Sequence, residues 1–316
     1  MFYNKSFINL NLTLIIFSMS KDYLIKQHIN FLEFPLWMVN PIQDKNGLTW
    51  KDQNSKYIYR SNFKAPDKTD QVFLYRWLLE SQKNNWSKKI VLSGYRILKD
   101  CGGNNTKWWY DRLEDSFWRW AGVTIGFKDS FYDSNKKEYK SRVFNIIDGV
   151  VVEKGKIEIT FSDVFLDEIK ETNFCKYINF EEVKKLRWPI ASRLHEILCK
   201  NFKGRNTWQI DAHKLADKIP LTGKTGKYLS DILTKINPAI NRINKHTSLK
   251  INLEVRTKEK GEAILVFKLM SEQIENKPEK KKLSLSEWAN APKNRTKTTG
   301  KTDDEIRAMM RKEKEL

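Results

Sequence analysis

The stretch KTGKYLSDILTKINPAINRINKH, residues 224–246, decides the fold because it predicts an amphipathic helix with one basic side. The apolar residues form one stripe at the period of an α-helix and are Leu229, Ile232, Leu233, Ile236, Ile240 and Ile243. Pro238 lies inside this stripe and removes one backbone donor, so we expect a kink or a helix that restarts at Pro238. The stripe predicts docking on the chain's own core. The charges of the opposite side are nearly all positive, so that side is either solvated or faces a polyanion.

The composition favours a nucleic-acid partner. The chain has 316 residues, which is room for two domains, and 40% of them are hydrophobic, which is enough for a packed core. Its 58 Lys and Arg against 39 Asp and Glu give a net charge of +19. Such a charge indicates a polyanionic partner. No long basic segment carries a Trp/Phe face, so we expect nucleic acid rather than a membrane.

The cysteines and the chain ends bear on the cellular context. Cys101, Cys175 and Cys199 form no C-x-x-C pair, which argues against zinc and disulfides and fits a cytoplasmic protein. Residues 1–27 are predicted to be an N-terminal extension. Its apolar part, 1–18, is predicted to be an artefact of the assigned translation start, with Met19 as the working start. A signal or anchor is the alternative for that segment. Residues 277–316 carry a net charge of +5 and are predicted to be a flexible basic tail.

Two parts of the chain give the same order of elements: helix, short strand, short helix, turn, longer helix and two strands around a polar loop. In the first part the longer helix is 105–122, and its strands are VTIGF (123–127) and KSRVFNIIDGVVVE (140–153). This order is typical of a winged helix. We therefore predict an α+β fold of two tandem winged-helix domains, 28–155 and 156–276, related by a structural pseudo-repeat. The segment KIEITFSDVFLDEIKETN (156–173) is predicted to join the two halves.

No catalytic constellation is present in the sequence. The residues Gly223-Lys224-Thr225 end like a phosphate-binding loop, but Lys218 stands where the first glycine is needed. There is no His-x-His pair for a metal-dependent nickase and no G-x-S-x-G for a serine hydrolase. We therefore expect no enzyme activity, no cofactor and no metal, and predict a binding protein.

In a helix-turn-helix the longer helix enters the major groove, so its charge indicates which half binds DNA more strongly. Segment 105–122 has no net charge, whereas 224–250 carries +5, so domain 2 is predicted to be the main DNA-binding unit and domain 1 a secondary contact. The candidate DNA-binding residues are Lys224, Lys227, Ser230, Thr234, Lys235, Asn241, Arg242, Lys245, Arg256, Lys258, Lys260, Lys107 and Arg112. The aromatic residues Trp108, Trp109 and Trp118 cannot all face one core, so we expect them to form a dimerisation or partner surface.

Several stretches together resemble the plasmid replication initiator protein A family and, more distantly, the two-winged-helix initiators. They are FLEFPLW (31–37), SGYRILKDCGG (93–103), YDRLEDSFWRWAGVTI (110–125), ITFSDVFLDEIKETNFCKYINFEEVKKLRWPIASRLHEIL (159–198) and INPAINRINKHTSLKI (236–251). The resemblance covers about residues 28–270. It implies binding to repeated origin DNA (iterons), origin opening, and recruitment of host replication proteins such as an initiator and a helicase. It also implies repression of the chain's own gene and no catalysis. Leu233 and Thr234 depart from the basic residues that related initiators often carry before the Pro-Ala pair.

Two other functions remain open at this point. A winged-helix transcriptional regulator is the alternative, although most such regulators carry one winged helix and a ligand domain. A replication enzyme such as a primase or a nickase is the other, and it would need a metal-binding cluster that the sequence does not display.

Overall fold

The computed structural model describes residues 23–40, 47–202, 204–221, 223–257 and 262–270, together with Thr302 and Glu305. The chain divides into two compact units, 1–269 and 270–316, and every element named below belongs to the first. The predicted tail, 277–316, therefore lies outside the described residues except for Thr302 and Glu305. Among the described helices, none is both long enough and apolar enough to cross a membrane.

The first half is a mixture of helices and antiparallel strands. Its helices are α1 (Ile29–Glu33), α2 (Lys68–Lys83), α3 (Gly94–Cys101), α4 (Lys107–Ala121) and α5 (Asp163–Glu171). Its strands are β1 (Leu24–His28), β2 (Leu48–Lys51), β3 (Tyr57–Ser61), β4 (Lys89–Ser93), β5 (Val123–Asp133), β6 (Glu138–Asn145), β7 (Ile147–Glu153) and β8 (Lys156–Phe161). β2, β3, β5 and β6 form one four-stranded sheet, and β4, β8 and β7 form a three-stranded sheet in that order.

The second half repeats part of this arrangement. Its helices are α6 (Phe180–Lys185), α7 (Pro189–Asn201), α8 (Ala212–Lys218) and α9 (Leu229–His246), with a short 3₁₀ helix at Gly223–Gly226. Its strands are β9 (Cys175–Asn179), β10 (Thr207–Asp211), β11 (Ile251–Thr257) and β12 (Ala263–Leu269). β10, β12 and β11 form a three-stranded sheet in that order, which is the order of β4, β8 and β7 in the first half. In each sheet the first strand in the chain, β4 after α2 and β10 after α7, pairs with the last strand, β8 or β12.

Three features of the predicted organisation are corrected by the strand pairing. The hairpin that corresponds to β11–β12 is β7–β8, and the segment predicted as one strand, 140–153, is divided between β6 and β7. The predicted boundary between 155 and 156 falls in the turn of this hairpin, where Glu153 pairs with Lys156. Residues 24–27, placed in the N-terminal extension, form β1, which pairs with β9.

The segment after β8 also belongs with the first half. The ring of Phe165 in α5 stacks on Phe31 of α1 at 5.2 Å and lies 6.3 Å from Phe144 of β6. These three rings are buried in the aromatic core of that half. The chain therefore passes into the second half near Thr172, and β1–β9 pairing ties the two halves together.

A buried carboxylate stabilises the contact between α2 and α7. One oxygen of Glu196, Oε1, accepts a hydrogen bond from the Tyr75 hydroxyl at 2.5 Å and one from the Gln71 amide. The other oxygen accepts from Arg193 Nη1 at 2.9 Å, and Glu196 is 2% exposed. Buried charges persist when they are paired and hydrogen-bonded, as here. The two halves therefore share a buried polar cluster as well as a core.

Helix α9 follows the predicted stripe. Ile232, Ile236, Ile240 and Ile243 are all buried, so the isoleucine side docks α9 on the second half. The helix continues from Leu229 through Pro238 to His246, so it does not restart at the proline. Packing of the isoleucines on both sides of Pro238 offsets the missing backbone donor.

Candidate nucleic-acid interface

The outer side of α9 is a continuous polar surface. Exposed residues of α9 recur at intervals of three or four, which places Ser230, Thr234, Asn237, Asn241 and Lys245 on one face of the helix. Lys227, two residues before the helix begins, is also exposed and completes the set. We call this set the α9 face. Its centre consists of hydroxyl and amide groups and its two ends carry positive charge. Such groups can donate and accept hydrogen bonds at base edges, and the lysines can neutralise phosphates.

Among the described residues, no carboxylate neutralises the basic residues of α9 or Lys227 just before it. Within the part of the chain that the structure describes, Lys227, Lys235, Arg242 and Lys245 form no ion pair. Lys227 Nζ lies 5.4 Å from the Tyr228 ring centre, and Lys235 is half-buried at the edge of the face. The exposed hydroxyl of Thr234 donates to the Asp231 carbonyl oxygen at 2.7 Å. The cationic charge of this helix is therefore available to an external anion.

Arg242 occupies a different position from the α9 face. Its guanidinium lies 5.0 Å from the ring centre of Trp188, the residue that precedes α7. Arg242 and His246 are one turn apart and are both exposed. They lie beside the α9 face rather than within it, so Arg242 is better placed for a phosphate than for a base edge.

The β11–β12 hairpin supplies one described candidate. Arg256 has a side chain that is 60% exposed and lies 3.7 Å from a carboxylate oxygen of Glu254. Lys258 and Lys260 lie outside the described residues, as does the side chain of Lys224. These three positions stay predictions.

The two candidates on α4 have other partners. Arg112 binds Asp70 at 2.7 Å and Asp67 at 2.8 Å, and its side chain is only 11% exposed. Lys107 is exposed, but its ammonium lies 2.6 Å from a carboxylate oxygen of Asp111. The guanidinium of Arg112 is therefore part of an internal ion-pair cluster and cannot contact DNA without breaking it. We remove Arg112 from the candidate interface.

The predicted aromatic partner surface is divided by the structure. Trp108 and Trp118 have exposures of 63% and 61%, whereas Trp109 is half-buried. Trp118 lies edge-on to Phe63 at 6.0 Å, and Trp108 lies edge-on to Trp109 at 4.9 Å. Trp108 and Trp118 therefore remain accessible to a partner.

The sequence reasoning missed one member of the α9 face. Asn237 precedes the proline and is not among the predicted binding residues, yet it is exposed three residues after Thr234 and four before Asn241. Its helical spacing was the signal that identifies it. Among the described residues, no group of three or more His, Cys, Asp or Glu side chains could hold a metal ion.

Comparison with known proteins yields a likeness in fold. The sequence matches no protein-family model and no curated protein. The crystal structure of selenomethionine derivatives of domains 2 and 3 of RctB is similar to this chain, with a TM-score of 0.52 and 14% sequence identity. That match covers 77% of this chain and 99% of the RctB chain. A second structure of RctB domains 2–3 covers 71% of this chain at 12% identity with a TM-score of 0.44. The first match shows that this chain shares the mixed helix-and-sheet fold of RctB domains 2 and 3.

Proposed function

We propose that this protein is a replication initiator that binds double-stranded origin DNA. The observation that carries the proposal is the α9 face, with hydrogen-bonding groups at its centre and, at its ends, Lys227 and Lys245, which form no ion pair among the described residues. The net charge of +19 and the fold shared with domains 2 and 3 of RctB, a replication initiator, support it. The sequence resemblance to plasmid initiators points to the same function.

In this proposal each half is a winged helix. The first winged helix consists of α2, β4, α3, α4, β7 and β8. The second consists of α7, β10, α8, α9, β11 and β12. α9 enters the major groove, where it presents the α9 face to base edges, and the β11–β12 hairpin contacts the adjacent backbone. The β5–β6 hairpin is an insertion between α4 and β7. The corresponding helix of the first half, α4, presents aromatic and acidic residues and serves a partner instead.

The two halves approach DNA as one body in this proposal. The Glu196 cluster and the β1–β9 pairing join them, and a substantial shift between the halves would expose Glu196 and break its hydrogen bonds from Tyr75 and Gln71. Reorientation of the halves through the segment near 156–180, as a route to origin opening, would carry that cost. We therefore place the work of opening in assembly along the DNA rather than within one chain.

The finer parts of the proposal follow from the resemblance. The DNA is a set of short plasmid origin repeats, and host replication proteins such as an initiator and a helicase are recruited to it in the cytoplasm. The chain acts without catalysis or a cofactor, so the free energy of strand opening comes from many copies binding adjacent repeats and bending the duplex. A homodimer formed through α4 represses the chain's own gene at a separate site.

Footprinting on the DNA that flanks the gene tests this proposal. We expect regularly spaced protected segments over short direct repeats next to an AT-rich stretch, without added nucleotide. Protection of a single operator and no strand opening would favour the transcriptional regulator. Opening that requires ATP with the purified protein alone would contradict the hydrolysis-free scheme.

A further inference from the structure

A cleft of about 710 Å³ lies between the first half and the end of α9. Residues at the start of α2 and the end of α3 form one wall, together with Trp109 of α4. The end of α6, the turn before α7 and the last turns of α9 form the other wall. Its apolar lining includes Val72, Phe73 and Leu186. A volume of this size is typical of a ligand site rather than of a packing defect.

The polar lining of this cleft has one sign of charge. The basic residues are Lys68, Lys184, Lys185, Arg187, Arg242 and His246, and none of the described residues that line the cleft is Asp or Glu. Lys184 is partly neutralised by Glu181 at 2.7 Å. For the other five, the described residues include no ion-pair partner. A cleft lined by one sign of charge with low-dielectric walls concentrates the field on an anion inside it.

Lys68 is the buried cation of this cleft. The residue is 7% exposed, and its ammonium donates to Gln71 Oε1 at 2.7 Å and to the Val183 carbonyl oxygen at 2.9 Å. An ammonium has three donors, so one remains for a ligand. Burial lowers the pKa of Lys68 to about 7, so an anion beside it would favour its charged form. An anion at this position would bind more tightly because the fold has already removed water from the Lys68 ammonium.

The cleft is continuous with the proposed DNA-binding helix. Arg242 and His246 line it, and they neighbour Asn241 and Lys245 of the α9 face. The Trp188 ring under Arg242 holds the guanidinium at the mouth of the cleft. The exposed side chains of Lys185 and Arg187 lie on the opposite side of that mouth, beside α6. DNA seated on the α9 face would therefore carry its backbone past these cations.

We propose that this cleft is a phosphate-binding site that receives the backbone of the duplex bound along α9. The DNA form of this proposal rests on the proposed function, because it needs DNA on the α9 face. The phosphate chemistry does not, because the single-signed lining would also suit a free phosphate-bearing molecule. Continuity with α9 favours DNA. A site of this kind makes the first half contribute phosphate contacts through Lys68, although every cation of α4, the counterpart of α9, is paired with a carboxylate.

The test compares the salt dependence of DNA binding in three full-length proteins. The variant K185Q/R187Q removes two exposed cations of the cleft, and the control K51Q/K128Q removes two exposed cations of the four-stranded sheet. Both variants lose the same charge, and none of the four residues is buried, so folding is retained and is checked by circular dichroism. Each lost phosphate contact makes the slope of log K against log salt less steep by about 0.9. We expect a change of roughly one to two for K185Q/R187Q and a much smaller change for the control.

A second arm distinguishes the source of the phosphate. Calorimetric titration of DNA-free protein with inorganic phosphate is run on the wild type and on K185Q/R187Q. Binding by the wild type that the variant loses, with equal salt slopes, would assign the site to a free phosphate-bearing molecule. Equal salt slopes in the two variants and no phosphate binding would overturn the proposal. If the wild type binds no DNA at all, the proposed function fails. The phosphate titration alone then shows whether the cleft binds phosphate.

Discussion

Arg112 Nη1 lies 2.7 Å from Oδ1 of Asp70, whose side chain is fully buried. Arg119 binds the same aspartate at 3.1 Å, so both arginines of α4 serve the interior of the first half. The cations of α9 have no such partners among the described residues. Two helices at equivalent places in the chain order therefore have opposite electrostatic roles. This difference supports the proposal that α9, rather than α4, binds DNA and that the outer surface of α4 serves protein contacts.

Substitution of Arg112 is expected to destabilise the fold. In R112A the buried Asp70 keeps the Asp67 backbone N–H and, among the described cations, only Arg119, and removing one partner of a buried ion pair costs about 3–5 kcal/mol. The free energy of unfolding, measured with urea, should fall by about that amount. K107A is the matched control because its ion pair with Asp111 is exposed, and its unfolding midpoint should barely change. Unchanged stability with weakened DNA binding in R112A would return this residue to the interface.

Substitution of Glu196 tests whether the two halves unfold together. E196Q leaves Arg193, which is fully buried, without its carboxylate, and we expect a loss of about 3 kcal/mol in the free energy of unfolding. Wild type and variant should each unfold in one transition by both fluorescence and circular dichroism. The control E181Q removes a half-exposed ion pair with Lys184 and should have a small effect. Separate transitions for the two halves would contradict the shared cluster.

The stability of the protein should fall between about pH 6.5 and pH 4 because of His28. Burial, with Lys140 and Lys26 nearby, lowers the pKa of His28 to about 4, although Asp133 opposes this shift. The unfolded chain therefore binds a proton in this window that the folded chain does not, so stability is lost as the pH falls. Over the whole window this loss amounts to about 3 kcal/mol.

The variant H28N isolates that effect. Asparagine keeps an acceptor for the backbone N–H of Asn30, to which His28 Nδ1 is bonded at 3.0 Å, but it does not titrate. As the pH falls, we expect the free energy of unfolding to decrease less steeply for H28N than for the wild type. Parallel curves for the two proteins would show that His28 is not the responsible group.

The exposed aromatic residues of α4 should affect self-association rather than folding. In W108Q/W118Q, two side chains that are each more than half exposed lose their apolar surface. We expect a shift toward monomer in sedimentation velocity, with DNA affinity per monomer retained. Y95Q, which alters another exposed aromatic residue on α3, is the control. Loss of DNA affinity with unaltered assembly would contradict this division between α4 and α9.

The apolar periodicity predicted α9 well because the pattern that forms an amphipathic helix lies within a short stretch of neighbouring residues. The isoleucine stripe is buried as expected, and the helix ends at His246 as the quoted stretch does, but it begins at Leu229 rather than at Lys224. The polar side of the same helix gave most of the candidate interface for the same reason. A helix's two faces follow from spacing alone, whereas the burial of a basic side chain depends on what packs against it.

Long-range contacts account for what the sequence did not reveal. The partners of Arg112 are Asp67 and Asp70, which lie about 40 residues earlier in the chain and carry no local signal. The passage from β6 to β7 was missed because only Ile146 separates the strands, and neither glycine nor proline marks the change of sheet. Burial of Ile146 and its carbonyl bond to Ser162 N at 3.1 Å fix that passage. The basic cleft likewise joins residues from four distant segments.

The central claim is that the α9 face binds duplex DNA, and its direct test is the affinity of K227A/N241A/K245A for flanking DNA over a range of salt concentrations. These three residues are exposed and form no ion pairs among the described residues, so the variant should fold like the wild type. We expect a loss of about 2–4 kcal/mol in binding free energy and a salt slope less steep by about 2, with K51Q/K128Q close to wild type. Wild-type affinity and slope in the folded triple variant would contradict the account.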